Sequence, residues 1–323
     1  MIYKEVAIEP AYLSNWDRVR LLVSQFGLDY GRLISDFPSD KWRFLVWRSC
    51  ANCLPVDRNK IVEYLNSSDA KLINNRRDFR EAKTWIENAK RENASLKPFH
   101  LVVTCDKHEG IPEFVQGDEL HDNGERWKPE MDEIIPRRAD DMANIAKELL
   151  FRASEVAFID PNYEPDRSFN KPLQQFIAHA VQGGRPVRME YHLKDDSSDE
   201  YFTGKLKEML LRGWLRLPQG YGIKFIRWKS FNWPSRDKMH PRYIMTDLGG
   251  LSFDYGLDEG NDGETTDVHI LAKKGEICKR RLLEFCATST TYEYGDGFEY
   301  TCQGVFKLEI ANGEFRRMGL LPI

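Results

Sequence analysis

The chain has 323 residues, a formal net charge of −4 and an apolar fraction of 41%, which suits one large domain or two ordinary ones. This charge balance gives no global basic excess, so any contact with nucleic acid has to come from a local patch. No apolar run approaches the roughly 20 residues of a membrane span, and the first ten residues lack the apolar stretch of a signal peptide. We therefore expect a cytoplasmic protein without a membrane partner.

Residues 1–135 are predicted to form a mainly helical N-terminal region with one short strand. Apolar residues recur at helical spacing after polar capping residues, and the tryptophans of these helices are interpreted as core. The β-branched run 99–104 predicts the strand, and the polar, Pro/Gly-punctuated segment 106–135 predicts a long loop or interdomain connection. The predicted helices begin near Ser14, Ser39, Asp57 and Asp78.

Cys50 and Cys53 form a lone C-x-x-C pair among six scattered cysteines. A structural zinc site normally needs a second pair or histidines at ligand spacing, and none lies nearby. We interpret the pair as reduced packing residues. The sequence also lacks a Walker loop and a dinucleotide fingerprint, so we expect neither a metal nor a cofactor.

In residues 136–323 the sequence pattern changes, and predicted helices alternate with short apolar strands. Such alternation predicts β-α-β crossovers and a largely parallel sheet, and hence an α/β fold. Helices are predicted over 137–155 and 170–182 and after Ser198, and strands over 156–159, 187–191, 222–228 and 242–246. Further strands near 251–254 and 267–271, a helix 276–287 and a β-rich tail 299–316 complete the prediction.

The segment from His240 to Gly250 carries the candidate chemistry. Residues two apart in a strand share a face, so His240 and Arg242 are expected to point together, with Asp247 at the far end of the strand. An imidazole serves as nucleophile or general acid/base, and a guanidinium grips phosphate oxygens in a bidentate way. Gly249 and Gly250 allow either a close ligand approach or a turn.

This spacing resembles the signature of the phospholipase D superfamily, in which His, any residue, Lys, four residues and Asp are followed by glycine. His240, Arg242 and Asp247 match it with Arg in the place of Lys. The segment ending at Asp160-Pro161 is similar to the opening strand of such a domain, and Gly256-Leu257-Asp258 stands near the family's Gly-Ser-x-Asn segment. The likeness covers roughly residues 136–290 and implies a mixed sheet flanked by helices.

The resemblance implies a metal-independent phosphodiesterase. In this family the motif histidine attacks the phosphodiester, a second motif histidine protonates the leaving group, and the lysines hold the phosphate. Carried over, His240 attacks, Arg242 clamps phosphate and Asp247 supports the site. Because only one motif exists, the active site would be completed in a homodimer. Substrate contacts are expected from Arg227, Lys229, Asp160, Gly249 and Gly250, and the basic and aromatic residues 227–229 favour nucleic acid.

Two functions follow from these observations. The first is a nuclease, and the general character of the chain resembles proteins of bacterial defence or mobile-element systems. The second is a catalytically retired scaffold subunit that binds phosphate or a partner protein in a larger complex. The Arg in place of Lys and the missing Ser and Asn of the glycine segment favour the second. The acidic segment 254–267 is interpreted as solvated, because its spacing lacks the order of a calcium loop.

Overall fold

The computed structural model describes residues 2–67, 71–120, 127–128, 131–194, 197–230, 242–271, 291–294, 298–309 and 315–318. The chain divides into two compact units, Ile2–Met131 and Asp132–Ile323. Each unit contains a β-sheet with helices against it, so the predicted α/β class is confirmed.

The N-terminal unit is built on a five-stranded parallel sheet in the order β3-β2-β1-β4-β5. Its strands are β1 Lys4–Ile8, β2 Arg32–Ser35, β3 Leu72–Ile73, β4 Leu101–Thr104 and β5 Phe114–Gln116. Its helices are α1 Trp16–Val23, α2 Trp42–Ser49, α3 Pro55–Asn66 and α4 Trp85–Asn93. The strand predicted over 99–104 is confirmed as β4, and four further strands accompany it.

Two apolar layers cover this parallel sheet. Val6 and Ile8 of β1 pack in one layer with residues of α1, α2 and α3, among them Trp42 and Val46. Ala7, on the opposite side of the same strand, packs in the other layer with Phe37. Alternating side chains of one strand therefore enter two different cores, as expected for a parallel sheet covered on both faces.

The C-x-x-C pair lies at the end of α2. The Sγ atoms of Cys50 and Cys53 donate hydrogen bonds of 3.2 Å to the carbonyl oxygens of Leu13 and Ser14. Burial, followed by the neighbouring Cys53, raises the pKa of the Cys50 thiol to about 12. A protonated thiol that donates to backbone is a packing group, which supports the interpretation made from the sequence.

The C-terminal unit contains a ten-stranded mixed sheet in the order β13-β14-β9-β8-β7-β10-β11-β12-β6, with β15 paired to β14. Strands β7, β8 and β9 run parallel, whereas the other neighbouring strand pairs that the structure describes in this unit are antiparallel. The prediction of a largely parallel sheet is therefore wrong and that of a mixed sheet is correct, because β10, β11 and β12 follow one another without a crossover helix. The strands are β6 Asp132–Pro136, β7 Glu155–Ile159, β8 Arg188–Lys194, β9 Gly222–Ser230, β10 Tyr243–Thr246, β11 Gly250–Phe253, β12 Thr265–Leu271, β13 Thr291–Tyr294, β14 Phe298–Glu309 and β15 Phe315–Met318. The helices are α5 Ala139–Arg152, α6 Arg167–Val181 and α7 Asp199–Leu211.

Aromatic side chains connect these helices to the sheet. Phe158, Tyr191 and Phe225 come from β7, β8 and β9 and stack in a row with ring centroids 5.9 and 5.8 Å apart. Phe176 of α6 stacks on Phe158, and Phe202 of α7 meets Phe225 edge-on. The helices and strands predicted over 137–271 are confirmed, and the predicted helix 276–287 lies outside the described residues.

Within the described parts of the chain, every helix is too short or too polar to cross a lipid bilayer.

Candidate phosphate-binding site

The candidate site lies at the edge of the C-terminal sheet where the parallel strands β7, β8 and β9 end. The antiparallel β10 begins at this same edge, because Tyr243 pairs with Ile159, the last residue of β7. The residues that follow β7 and those that precede β10 therefore meet. Carboxyl ends of parallel strands are where α/β sheets gather ligand-binding residues.

Asp160 follows β7 and is completely buried. Its carboxylate accepts hydrogen bonds from the backbone N–H of Leu257 at 2.7 Å and of Asn162 at 3.0 Å. Burial raises the pKa of the Asp160 carboxyl, and the two backbone donors and Arg242 oppose that rise. Asp160 thus joins the end of β7 to the segment after β11 and puts a carboxylate beside the start of β10.

Arg242 immediately precedes β10 and is half-buried. Its carbonyl oxygen accepts a 2.9 Å hydrogen bond from the N–H of Phe253, so its backbone is held by β11. Its charge is close enough to lower the pKa of Asp160. The predicted residues Asp160 and Arg242, which are 82 positions apart in the sequence, are therefore neighbours in the fold.

Arg227 and Lys229 belong to the last part of β9, with Arg227 in register with Leu193 of β8. Since β9 is parallel to β7 and β8, its end reaches the same sheet edge as Asp160. Two strands separate β9 from β10, so these positions lie about 14 Å to the side of Arg242 at ordinary strand spacing. The side chains of both residues lie outside the described part of the chain.

His240 lies outside the described residues, which resume at Arg242. In the sequence it stands two residues before Arg242. Its role as nucleophile stays a prediction.

Asp247 lies at the opposite end of β10. Its carboxylate accepts hydrogen bonds from the N–H and hydroxyl of Ser154 at 3.0 and 2.6 Å, and from the N–H of Glu155 at 3.3 Å. Five extended residues span about 16 Å, so Asp247 is far from Arg242 along the strand. These hydrogen bonds join the end of β10 to the beginning of β7, so Asp247 stabilises the pairing of the two strands.

Gly249 and Gly250 form the turn from β10 to β11, also at the end remote from Arg242. The carbonyl oxygen of Gly249 accepts hydrogen bonds from the N–H and hydroxyl of Thr246 at 2.8 and 3.0 Å. A Cβ on Gly250 would come within 3.2 Å of the carbonyl oxygen of Ile244 and of the Leu271 side chain. In this structure the glycines serve a tight turn at the end of the strands.

Arg137 belongs to the site and was not among the predicted residues. Its guanidinium pairs with Asp258, and its carbonyl oxygen accepts a 2.7 Å hydrogen bond from the N–H of Gly260. Asp258 in turn raises the pKa of Asp160, so this ion pair lies close to the buried carboxylate. No local sequence signal marks Arg137, because its partner lies 121 residues away.

Acidic residues of the segment after β11 form ion pairs with basic side chains. Arg138 pairs with Asp262, and Lys171 pairs with Glu259 at 2.5 Å. Glu259 also accepts a 3.4 Å hydrogen bond from the N–H of Ala139, the first residue of α5. Among the residues that the structure describes, no group of His, Cys, Asp and Glu side chains is arranged to hold a metal ion.

No protein-family model matches the chain, and no curated protein matches it significantly. Among solved structures, the chain is similar to TrmBL2, an archaeal chromatin protein whose structure shows a novel mode of DNA binding. That alignment covers 48% of this chain and 52% of the other, at 14% identity and a TM-score of 0.25. The likeness is too low to bear on fold or function.

Proposed function

We propose that the C-terminal unit binds a nucleic-acid phosphodiester at the carboxyl edge of its sheet and cleaves it without a metal, as a phospholipase-D-like nuclease. The observation that carries the proposal is the meeting of Arg242 with Asp160 at the edge where β7, β8 and β9 end. The backbone of Arg242 is held by β11, so its cationic side chain starts from a fixed position near the buried carboxylate, which lowers the cost of ordering it when a phosphate binds.

The chemistry follows from the motif. A ring nitrogen of His240 attacks phosphorus, the bond to the leaving oxygen breaks, and a phosphohistidine forms. The leaving oxygen takes a proton from His240 of the partner subunit. Water then attacks phosphorus and gives a proton back to that partner imidazole, and the phosphorus–nitrogen bond breaks to release the product and free His240. Arg242 neutralises charge on the non-bridging oxygens during both steps. One motif per chain makes a homodimer part of the proposal.

Nucleic acid is the proposed substrate because β9 ends in the sequence Arg227-Trp228-Lys229 at the same edge. Cations spaced along an edge suit a repeating phosphate backbone, and an aromatic residue suits a base. In the acidic segment nearby, Asp258, Asp262 and Glu259 are paired with Arg137, Arg138 and Lys171, so these three carboxylates repel a polyanion less than free ones would. A role in a bacterial defence or mobile-element system belongs to the same proposal.

The test is cleavage of labelled single- and double-stranded oligonucleotides in the presence of EDTA. The wild type should cleave, His240→Ala should abolish cleavage, and Arg242→Ala should weaken it by about 100-fold or more through the lost charge stabilisation. Arg212→Ala, which removes an exposed ion pair with Glu208 on α7, is the matched control and should cleave normally. Equal inactivity of wild type and His240→Ala refutes the nuclease.

A phosphate- or partner-binding scaffold is the second candidate, since Asp160 already balances part of the Arg242 charge. Its signature is oligonucleotide binding that Arg242→Ala weakens while no preparation cleaves. Sedimentation of the wild type tests the homodimer independently, because a monomer at all concentrations is incompatible with a shared active site.

A further inference from the structure

The helix α2 carries two large aromatic side chains on its outer face. Phe44 and Trp47 are three positions apart, which places them on one side of the helix, opposite the buried Trp42 and Val46. Phe44 is 55% exposed and Trp47 is 36% exposed. The interpretation of the helix tryptophans as core is therefore correct for Trp42 and not for Trp47.

The two exposed rings form a stack with arginine side chains. Their centroids are 5.7 Å apart with an interplanar angle of 25°. The Arg58 guanidinium lies 3.9 Å from the centroid of Trp47, and that of Arg48 lies 5.9 Å from the centroid of Phe44. We call Phe44, Trp47, Arg48 and Arg58 the α2 platform.

Arg48 and Arg58 are the charged groups of the α2 platform. Two neighbouring charges are already paired, since Asp57 pairs with Lys60 at 3.0 Å and Lys41 pairs with Glu81 at 2.5 Å. Within the described chain, neither Arg48 nor Arg58 forms an ion pair, and the Arg58 Nε atom is buried without a hydrogen-bond acceptor. Both guanidinium groups therefore direct their charge at aromatic rings and at solvent, instead of at a carboxylate.

We infer that the α2 platform is a second nucleic-acid site, which binds single strands by stacking an unpaired base on its aromatic pair. The Trp47 ring already contacts Phe44 and the Arg58 guanidinium, so the base is expected to stack on Phe44, where the Arg48 guanidinium is 5.9 Å from the ring centroid. The arginines supply charge for the flanking phosphates. A single strand fits better than a duplex, because in a duplex each base face is covered by its neighbours. The inference concerns the N-terminal unit alone and holds whether or not the C-terminal unit cleaves.

Binding is measured with a fluorescein-labelled thymidine oligonucleotide about 12 nucleotides long, a length within the range of single-strand sites. The full chain carries Arg242→Ala, so that the proposed cleavage site contributes little. Phe44→Ala and Trp47→Ala should each weaken binding about tenfold, the loss typical of one stacked base. Trp47→Phe, which keeps an aromatic ring, should retain most of the affinity.

Two further measurements separate stacking from charge. Arg48→Gln should reduce the salt dependence of single-strand binding by about 0.7 of a unit in the slope of log K against log salt. Quenching of tryptophan fluorescence by the oligonucleotide should be smaller in Trp47→Phe than in the parent protein. Leu21→Ala, which removes another exposed apolar side chain of the same unit, is the control and should change neither quantity.

Two results would overturn the inference. One is single-strand affinity that is the same in Phe44→Ala, Trp47→Ala and the parent protein, with thermal melts confirming that the variants are folded. The other is a self-association of the chain that Phe44→Ala abolishes while oligonucleotide binding is unchanged, since the platform would then be a protein interface. Retention of platform binding in His240→Ala separates this inference from any failure of the nuclease proposal.

Discussion

In the N-terminal unit all five strands run parallel, so every segment at its carboxyl edge follows a strand, whereas in the C-terminal unit the antiparallel β10 enters the same kind of edge from its beginning. The reversed direction of β10 brings a residue that precedes a strand, Arg242, beside one that follows a strand, Asp160. Mixed strand directions therefore place residues from before one strand and after another at the same sheet edge.

The two units also differ in how they bury charge. In the N-terminal unit, Arg77 and Glu5 form a bidentate ion pair with contacts of 2.6 and 2.9 Å and side chains that are 7% and 11% exposed. Ser35 and Asn75 donate further hydrogen bonds to the same carboxylate. In the C-terminal unit, the buried Asp160 carboxylate has backbone donors and an arginine that stays half-exposed. In the first arrangement a buried guanidinium closes the pair, whereas in the second backbone N–H groups hold the carboxylate and the arginine beside it is partly exposed.

The largest expected effect comes from breaking the closed pair. Arg77→Ala leaves the Glu5 carboxylate buried without its cation and should lower the free energy of unfolding of the N-terminal unit by about 3–5 kcal/mol. The measurement is urea denaturation followed by tryptophan fluorescence. Arg80→Ala is the control, because its pair with Asp78 is exposed and should change stability by less than about 0.5 kcal/mol. Equal effects of the two substitutions would contradict a buried pair.

A smaller loss is expected at the buried carboxylate of Asp160. Asp160→Ala leaves the backbone N–H groups of Leu257 and Asn162 without their acceptor and should destabilise the C-terminal unit by about 2–3 kcal/mol. Asp247→Ala removes the more exposed carboxylate at the other end of β7 and should cost about 1 kcal/mol. Denaturation curves of both variants measure the two losses in unfolding free energy. A larger loss for Asp247→Ala than for Asp160→Ala would contradict the greater role given to the buried carboxylate.

These differences explain which parts of the fold could be predicted from sequence. In the C-terminal unit, β7 carries the apolar run Val156–Ile159 between the helices α5 and α6, and Ser198 caps α7 as predicted by accepting a hydrogen bond from the Tyr201 N–H. In the N-terminal unit, β1 contains Glu5 and β2 begins with Arg32. Charged residues interrupt the apolar pattern by which a buried strand is recognised in a sequence, unless the residues that neutralise them are known.

Those partners are distant in sequence. Glu5 is neutralised by Arg77, and Arg32 lies 4.1 Å from the ring centroid of Trp127 while donating to the carbonyl oxygen of Gln25. The same holds for the candidate site. Arg242 could be recognised from the local motif, whereas Arg137 could not, because its ion pair with Asp258 is formed only in the fold.

The pH dependence of stability provides a third test, at the buried network of β8 and β9. Glu190 lies 3.4 Å from His192 and 3.7 Å from Lys224. Burial acts to raise the pKa of Glu190, but the hydrogen bond to His192 and the charges of His192, Lys224 and Arg188 outweigh it and the pKa is lowered. The folded state therefore stabilises the ionised form of Glu190 more than the unfolded chain does. This contribution to folding stability is fully present at pH values above the ordinary glutamate pKa of about 4.3.

As the pH falls through the lowered pKa of Glu190, that stabilisation is lost. Glu190→Gln should destabilise the C-terminal unit by about 1–2 kcal/mol at neutral pH, and by progressively less below about pH 4. Denaturation at several pH values measures the difference, with the exposed Glu200→Gln as control. A difference that stays constant with pH would show that charge at Glu190 is not the cause.

The smallest change in stability is expected at two glycines, one with open space beside its Cα and one in contact with an aromatic ring. Gly204 is exposed in the middle of α7, and a Cβ there would meet no atom within 4 Å, so Gly204→Ala should stabilise the C-terminal unit by about 0.5–1 kcal/mol. Gly117 lies against the Tyr12 ring of the N-terminal unit, where a Cβ would come within 2.1 Å of ring atoms. Gly117→Ala must displace that ring and should destabilise instead. Thermal melts of the two variants should move in opposite directions, because the same methyl group meets solvent in one unit and a filled contact in the other.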